Sequence, residues 1–380
     1  MAAPDNLENK YNMYMYGDMV DDAARTEAYA RALHETVKHG DTVVDIGTGP
    51  FALLARMAAH AGAGQVFAIE VDPGVADRAR TFLGESPHAW SSKIEVKQGE
   101  SSSVVLPVKA DLVVHELIGL IAGSEGAASI LRDAFVHHSK QSPGAAAGQW
   151  TVPARSRSWL VPVEIPTEEQ LIEGGSPDAY RTEAFPEGRL VVSIEGFPFA
   201  SCALAHPKCF EELDFASLPS DPKALIGNHT RQLTFVCDRP GVFAGFAVFI
   251  TGEMTIDDVV SANVAEMDPS ACRFFSDDCP APGIGFCSAW RESHWGNLVI
   301  RLNLTSGKAV HVEPGDIIQV DADVDLTPFQ PMYTFHAALR RQRGENGEPT
   351  DVLHGTLRQT QEYRSAWQLY VDKPTPPLHP

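Results

Sequence analysis

The stretch Val43-Val44-Asp45-Ile46-Gly47-Thr48-Gly49-Pro50-Phe51 constrains the fold more than any other part of the chain. A β-rich run ends in a glycine turn and leads into the helical spacing of Ala52 to Ala61, which makes a strand, loop, helix unit. The glycines let the backbone turn tightly and approach a ligand where a Cβ would block it. Glu70 ends the next strand, Phe67-Ala68-Ile69-Glu70, 25 residues after Asp45. An acidic side chain at that place accepts both hydroxyls of a ribose, so a nucleoside cofactor is expected. A dinucleotide would want a third glycine where Ala52 stands, and S-adenosylmethionine, which has no pyrophosphate, fits better. Gly99-Glu100-Ser101, after the third strand, offers backbone groups to the adenine amine.

The same alternation continues. Residues 19 to 38 carry apolar side chains at helical spacing; Val66 to Val71, Ile94 to Gln98 and Ala110 to His115 read as strands, and Asp72 to Leu83 as a helix. Strands alternating with helices imply an α/β, Rossmann-like parallel sheet with ligands at the carboxyl ends of its strands. Near residue 150 the pattern changes to β-rich runs separated by Pro, Gly and Asp. Two domains follow from this: 1–150, N-terminal helices with the cofactor domain, and 151–380, a mostly antiparallel β-barrel for the substrate. Val242 to Thr251, Leu298 to Leu304, Asp316 to Val324 and Trp367 to Val371 are its clearest strands. Residues 166–215, rich in Glu, Pro and Gly, read as an inserted arm.

Thirty Lys and Arg against fifty Asp and Glu give a net charge of -20, which disfavours a phosphate-tracking nucleic-acid surface and attracts a cationic ligand. The six cysteines form no C-x-x-C pair, so reduced thiols and no zinc site are expected. His137, His138 and His311 lack a partner at metal-ligand spacing. No apolar run is long enough to span a membrane and the N-terminus is polar, so a cytoplasmic protein is expected.

Four motifs in order resemble the protein arginine N-methyltransferases. Met19-Val20-Asp21-Asp22-Ala23-Ala24-Arg25-Thr26-Glu27-Ala28-Tyr29 is similar to the family's N-terminal helix, and Asp45, Gly47, Gly49 and Glu70 occupy its cofactor motifs. Glu116-Leu117-Ile118-Gly119-Leu120-Ile121-Ala122-Gly123-Ser124-Glu125 resembles its paired-glutamate hairpin, and Ser293-His294-Trp295 its Thr-His-Trp loop. Phe51 departs from the family's usual third glycine and Ser293 from its threonine. Tyr16-Gly17-Asp18-Met19 and Glu125-Gly126-Ala127 are similar to the branch that makes only monomethylarginine.

The resemblance implies roles residue by residue. Arg25 pairs with the cofactor's methionine carboxylate, with Tyr16 and Glu116 also at the cofactor. His294 pairs with Asp22 across the domains, Trp295 forms an apolar wall, and Met19 sits beside the reacting nitrogen and limits how many methyl groups fit. Taken without the motifs, a Met, His or Trp at such positions reads as ordinary core. Tyr11, Tyr14 and Tyr16 read either as a cluster closing over the cofactor or as an N-terminal packing stripe. The family also implies a homodimer, with residues 166–215 supplying the arm.

The chemistry gives the paired carboxylates their purpose. A guanidinium has a pKa above about 12 and no free lone pair, yet methyl transfer needs nitrogen density aimed at the methyl group. Bidentate bonds to Glu116 and Glu125 fix the guanidinium plane and draw its positive charge to the nitrogens they hold, while one carboxylate receives a proton. Two close carboxylates titrate together, so the pair carries the role jointly. An alanine-rich composition of bacterial style favours free L-arginine over peptidyl arginine as acceptor. The remaining alternatives are a small-molecule O- or N-methyltransferase, for which both glutamates are dispensable, and a non-catalytic scaffold.

Overall fold

The computed structural model describes residues 13–144, 148–173, 191–194, 196–221, 223–266, 283–290, 293–301, 310–341, 350–359 and 367–370. Tyr11, Cys272, Cys279 and the 174–190 part of the expected arm lie outside them, as does the Tyr14 side chain.

The N-terminal helical pattern divides into α1 (Met13–Asp21) and α2 (Ala23–Thr36). The break comes at Asp22, whose backbone leaves the helical region (φ -66, ψ 92) and whose side chain accepts from Arg25 N, an N-cap that starts α2 afresh. Then come β1 (Thr42–Ile46), α3 (Leu53–Ala61), β2 (Gln65–Glu70), α4 (Pro73–Gly84), β3 (Ile94–Gln98), β4 (Leu112–His115), α5 (Ala127–His138) and β5 (Thr151–Val152). α4 opens with an Asp72 cap and Pro73 in its first turn, where a missing N–H costs nothing. The five strands pair in parallel in the order β3-β2-β1-β4-β5. β1 and β4 are buried along almost their whole length, as strands covered on both faces should be. The order reverses beside β1, so the crevice at the carboxyl ends of β1 and β4 is the expected ligand position.

Beyond β5 the pairing turns antiparallel. β6 (Arg155–Val163) is buried at every residue, so it carries no period-two signal and sequence reading passes over it. α6 (Glu168–Glu173), β7 (Val191–Ile194), α7 (Phe199–Cys202), β8 (Lys208–Asp214), β9 (Asn228–Val236), β10 (Gly241–Phe243), β11 (Gly245–Glu253), α8 (Ile256–Glu266) and β12 (Phe286–Cys287) follow. The last strands are β13 (Asn297–Arg301), β14 (Val310–Val312), β15 (Ile317–Asp325), β16 (Met332–Arg341), β17 (Thr350–Gln359) and β18 (Trp367–Tyr370). They form sheets ordered β7-β13-β11-β6-β8 and β18-β17-β16-β15-β9, a β10-β14 pair, and β12 beside β11. The antiparallel architecture is as expected; among the described residues its ladders form separate sheets and not one closed barrel.

One apolar cluster runs from Val43, Val44 and Phe67 of the parallel sheet through Trp150 to Phe210, Phe246 and Phe335 of the antiparallel sheets. Trp150 Nε1 donates to Phe215 O at 2.9 Å, a polar tie within that shared core. Among the described residues no helix is long and apolar enough to cross a membrane, and no group of three His, Cys, Asp or Glu is arranged to hold a metal.

Candidate active site

The site grows from the carboxyl ends of β1, β2 and β4. Gly47 (φ 76) and Gly49 (φ 67) adopt the left-handed conformation that glycine tolerates. A Cβ on Gly49 would lie 3.3 Å from the Tyr16 ring and one on Gly47 3.2 Å from Leu117, so α1 and the hairpin after β4 both close onto bare backbone. Fully buried Asp45 braces the loop: its Oδ2 accepts from Thr48 Oγ1 at 2.5 Å and from Ala55 N at 3.0 Å. Burial pushes its carboxyl up to about 7 against the pull of those bonds.

Glu70 Oε2 accepts from Gly49 N at 3.1 Å and Oε1 from Asp72 N at 3.0 Å. Burial raises its carboxyl although these backbone bonds oppose it. Each oxygen keeps acceptor capacity, so two further hydroxyls fit the same carboxylate. Gly99 donates its N–H to Glu70 O at 2.8 Å, bringing the Gly99-Glu100-Ser101 turn to the rim of the same crevice. Ser101 O lies 2.7 Å from His138 Nε2. Tyr16 is pushed up to about 12, first by burial and then by the charges of Glu70, Asp72 and Glu125.

Arg25, buried on α2, donates to Met19 O through Nη1 at 2.7 Å and to Glu116 Oε2 through Nη2 at 3.1 Å. Its guanidinium lies 5.6 Å from the Tyr29 ring and 6.0 Å from the Trp295 ring, cation–π distances that suit a desolvated cation. Tyr29 OH donates to His115 O at 2.9 Å, fixing the end of β4 one residue before Glu116. Burial raises the Glu116 carboxyl; Arg25 and His294 oppose this and Glu125 adds to it. Glu125 is therefore near enough for its charge to act on Glu116.

The rest of the site comes from the antiparallel half. His294 donates its backbone N–H to Asp22 Oδ2 at 3.0 Å and its Nδ1 lies 2.7 Å from the same oxygen. Trp295 Nε1 donates to Ile118 O at 3.1 Å, and its ring stacks on Phe286 at 4.8 Å. The sequence expectation of Trp295 as an apolar wall thus gains a polar function, holding the hairpin. Met19 lies on α1, and its backbone carbonyl accepts the Arg25 hydrogen bond.

Several residues of this neighbourhood escape sequence reading. Thr48 bonds Asp45, Asp72 bonds Glu70, Tyr29 bonds the His115 carbonyl at the end of β4, Ser158 and Glu211 accept from the hairpin backbone, and Tyr333 bonds Glu211. Only Thr48 carried a signal, as the polar residue between two glycines. His115 is fully buried, its ring edge-on to Phe215 at 4.9 Å, with neither ring nitrogen hydrogen-bonded.

The crevice suits S-adenosylmethionine. Gly47 and Gly49 give close backbone approach, Glu70 has room for a diol, and two buried polar atoms, Arg25 Nε and Asp45 Oδ1, have no hydrogen-bond partner.

No protein-family profile matches the chain. In sequence it is similar to protein arginine N-methyltransferase PRMT10 of Arabidopsis thaliana, 30% identical over 160 residues, 40% of this chain and 38% of that protein. It is also similar to the arginine N(omega)-methyltransferase of Streptomyces achromogenes subsp. streptozoticus, 37% identical over 124 residues, 31% of this chain and 33% of the other. The matches thus span well under half the length of these relatives. The fold resembles the crystal structure of Arabidopsis thaliana protein arginine methyltransferase 10, described as uniquely open, with TM-score 0.60 and 19% identity over 90% of this chain and 97% of that one. It also resembles the Trypanosoma brucei PRMT1 enzyme-prozyme complex with AdoHcy, with TM-score 0.57 and 14% identity over 90% of this chain and 97% of that one. In sequence and in fold the chain resembles the protein arginine N-methyltransferases.

Proposed function

We propose that this protein is an S-adenosylmethionine-dependent N-methyltransferase acting on the guanidino group of arginine. The observation that carries the reading is the placement of Glu116 and Glu125 on one hairpin at the end of β4, with the charge of Glu125 acting on Glu116, beside the Gly47–Gly49 loop and the Arg25 guanidinium. Gly47, Gly49, Glu70, the 99–101 turn, Tyr16 and Arg25 would hold the cofactor, which supplies an electrophilic methyl group when bound. Relatives named as arginine methyltransferases support the same assignment.

The protein's part is binding, orientation and proton handling. Glu116 and Glu125 grip a flat cation through charge-assisted bonds and leave its remaining nitrogen facing the donor. Arg25 holds Glu116 from behind, so the carboxylate is oriented before substrate arrives. A buried carboxylate raised by desolvation is a better proton acceptor than one in water, and the pair takes up the proton released when the N–C bond forms. The Asp22–His294 pair joins α2 to the loop before β13 and closes the pocket from the other side. Met19 is assigned the pocket wall that limits the number of methyl groups.

We favour free L-arginine as the acceptor. Similarity to the Streptomyces arginine N(omega)-methyltransferase supports it; similarity to PRMT10 supports peptidyl arginine as the second reading. A division into domains near residue 150 and a homodimer belong to the same proposal. The deciding experiment incubates the protein and methyl-labelled cofactor with free arginine and with an arginine-rich peptide, and reads both by mass spectrometry. Label on free arginine alone is the expected result, label on the peptide alone selects the second reading, and label on neither ends both. Retained transfer to another nucleophile after E116Q/E125Q would move the protein to a different class of methyltransferase.

A further inference from the structure

Resting on that reading, we propose that Glu211 is a positioning residue for the catalytic hairpin, fixing from the antiparallel half the turn that presents Glu125. The hairpin backbone supplies the first observation. Gly126 N donates to Gly123 O at 2.9 Å, which closes a turn over residues 123–126 with Glu125 inside it. The place of Glu125 therefore follows the place of Gly123.

Gly123 is held by a side chain of the other half. Its N–H donates to Glu211 Oε2 at 3.1 Å, and the neighbouring Ala122 N donates to Ser158 Oγ at 2.9 Å. Ser158 in turn donates to Glu211 Oε2 at 2.6 Å, and Tyr333 OH donates to Oε1 at 2.8 Å. Glu211 on β8 is 3% exposed, and Ser158 and Tyr333 are each 0% exposed. Facing registers on β6 and β8 put Ser158 opposite Glu211, so the receptor for the hairpin is built into a strand pair.

The fit is close on both sides of the turn. A Cβ on Gly123 would sit 2.5 Å from Glu211 Oε1 and 3.1 Å from Tyr333 OH, and one on Gly126 2.8 Å from Phe329 O. Bare backbone at 123 and 126 is what lets the turn seat against β8 and the 326–331 loop. A buried carboxylate with three donors is an expensive group to place in a core unless its partners are fixed. Here the partners are two rigid strands and the catalytic turn. Burial raises the Glu211 carboxyl and the three hydrogen bonds oppose it.

The test separates positioning from general support by pairing E211M with E211Q. Methionine fills the space but removes the carboxylate that accepts from the Gly123 N–H and from the Ser158 and Tyr333 hydroxyls. Glutamine keeps an acceptor oxygen for Gly123, and the Tyr333 hydroxyl turns to accept from its amide. Hydrogen exchange of the 117–126 segment is expected to quicken at least tenfold in E211M and less than threefold in E211Q. Exchange in β1 and β2, and the affinity for S-adenosylhomocysteine, should stay within twofold. In turnover, E211M should lower kcat at least tenfold with KM changed by less, E211Q should recover kcat to within threefold, and E211M should add nothing in an E125Q background. Y333F, which removes one hydroxyl, gives the same exchange pattern in weaker form if E211M fails to fold. Unchanged hairpin exchange, equal loss in E211Q, or full additivity with E125Q each overturns the proposal. A wild-type protein that methylates no arginine refutes the activity reading instead, and the exchange comparison still decides the tether.

Discussion

Asp22 Oδ2 takes two hydrogen bonds from His294, one from its backbone N–H at 3.0 Å and one from its ring at 2.7 Å, while Asp22 Oδ1 caps α2 through Arg25 N at 2.9 Å. One carboxylate thus starts a helix and joins two halves of the chain across 272 positions of sequence. D22A loses the cap, about 1 kcal/mol, and strips His294 of its acceptor, so a total of about 2–3 kcal/mol is expected at pH 7. D22N keeps a capping oxygen and should cost about half as much. Urea unfolding of the three proteins checks this, and equal losses in both variants would contradict it. Burial works to raise Asp22, yet the bonds from His294 and Arg25 hold it below the ordinary 3.8. Its stabilisation is therefore present above about pH 4 and lost as pH falls through the lowered value.

Glu116 gives a second pH signature, in activity. Burial raises it, and Arg25 and His294 limit the rise. The acid limb of kcat/KM should then lie above the ordinary 4.5, because the free enzyme must present Glu116 ionised to grip a guanidinium. R25Q removes a charge that opposes the rise and should move the limb further upward. E116Q, losing a charge-assisted bond of roughly 1.5–3 kcal/mol, should lower kcat/KM about tenfold to a hundredfold. A limb that stays put in R25Q would remove Arg25 from control of Glu116.

Much of this site is legible in sequence because its parts sit on local patterns. Asp45, Gly47, Gly49 and Glu70 follow from a strand, a tight turn and the next strand end, while Glu116 and Glu125 are legible through the resemblance of their segment to a paired-glutamate hairpin. β6 escapes sequence reading because a strand buried on both faces has no alternation to read. The single helix expected over 19–38 divides at Asp22 because the side chain competes for a backbone N–H, a local bond that hydrophobic spacing does not register. Glu211, Ser158 and Tyr333 were invisible for another reason. They meet the hairpin only through strand register and long-range packing, with separations of 88 and 36 residues for Glu211–Gly123 and Ser158–Ala122. The continuous run Val242 to Thr251 likewise breaks in two, since β10 pairs with β14 while β11 pairs with β6.

His115 carries a stability prediction. Burial pushes its ring down to about 3, from an ordinary 6.5. The unfolded chain therefore binds a proton below pH 6.5 that the folded protein refuses, and folding stability falls as pH drops through that window. Replacing it with leucine removes the titration while Tyr29 keeps its bond to the backbone carbonyl of position 115. The unfolding free energy of H115L relative to the parent should rise by about 1.4 kcal/mol between pH 7.5 and pH 5.5. Groups that titrate alike in both proteins, Asp45 among them, drop out of the comparison. A difference that is flat with pH would show that the imidazole takes up its proton in the fold as it does in the unfolded chain.

Gly119 tests the hairpin from its other end. A Cβ there would run into Ser124 Oγ and lie 2.9 Å from Glu125 Cγ, so the two arms of the hairpin approach through the space a side chain would fill. The obstacle includes the stem of Glu125, which the proposed function sets against the substrate, so relief by side-chain movement is relief at the expense of that residue. G119A should therefore lower kcat at least tenfold. The Gly47–Gly49 loop follows β1 and Glu70 ends β2, and neither depends on that approach, so affinity for S-adenosylhomocysteine should change by less than about threefold. Isothermal titration beside steady-state kinetics reads both quantities. A parallel collapse of both would mean that the hairpin supports the cofactor crevice as a whole, through Leu117 against Gly47, and not the glutamate alone.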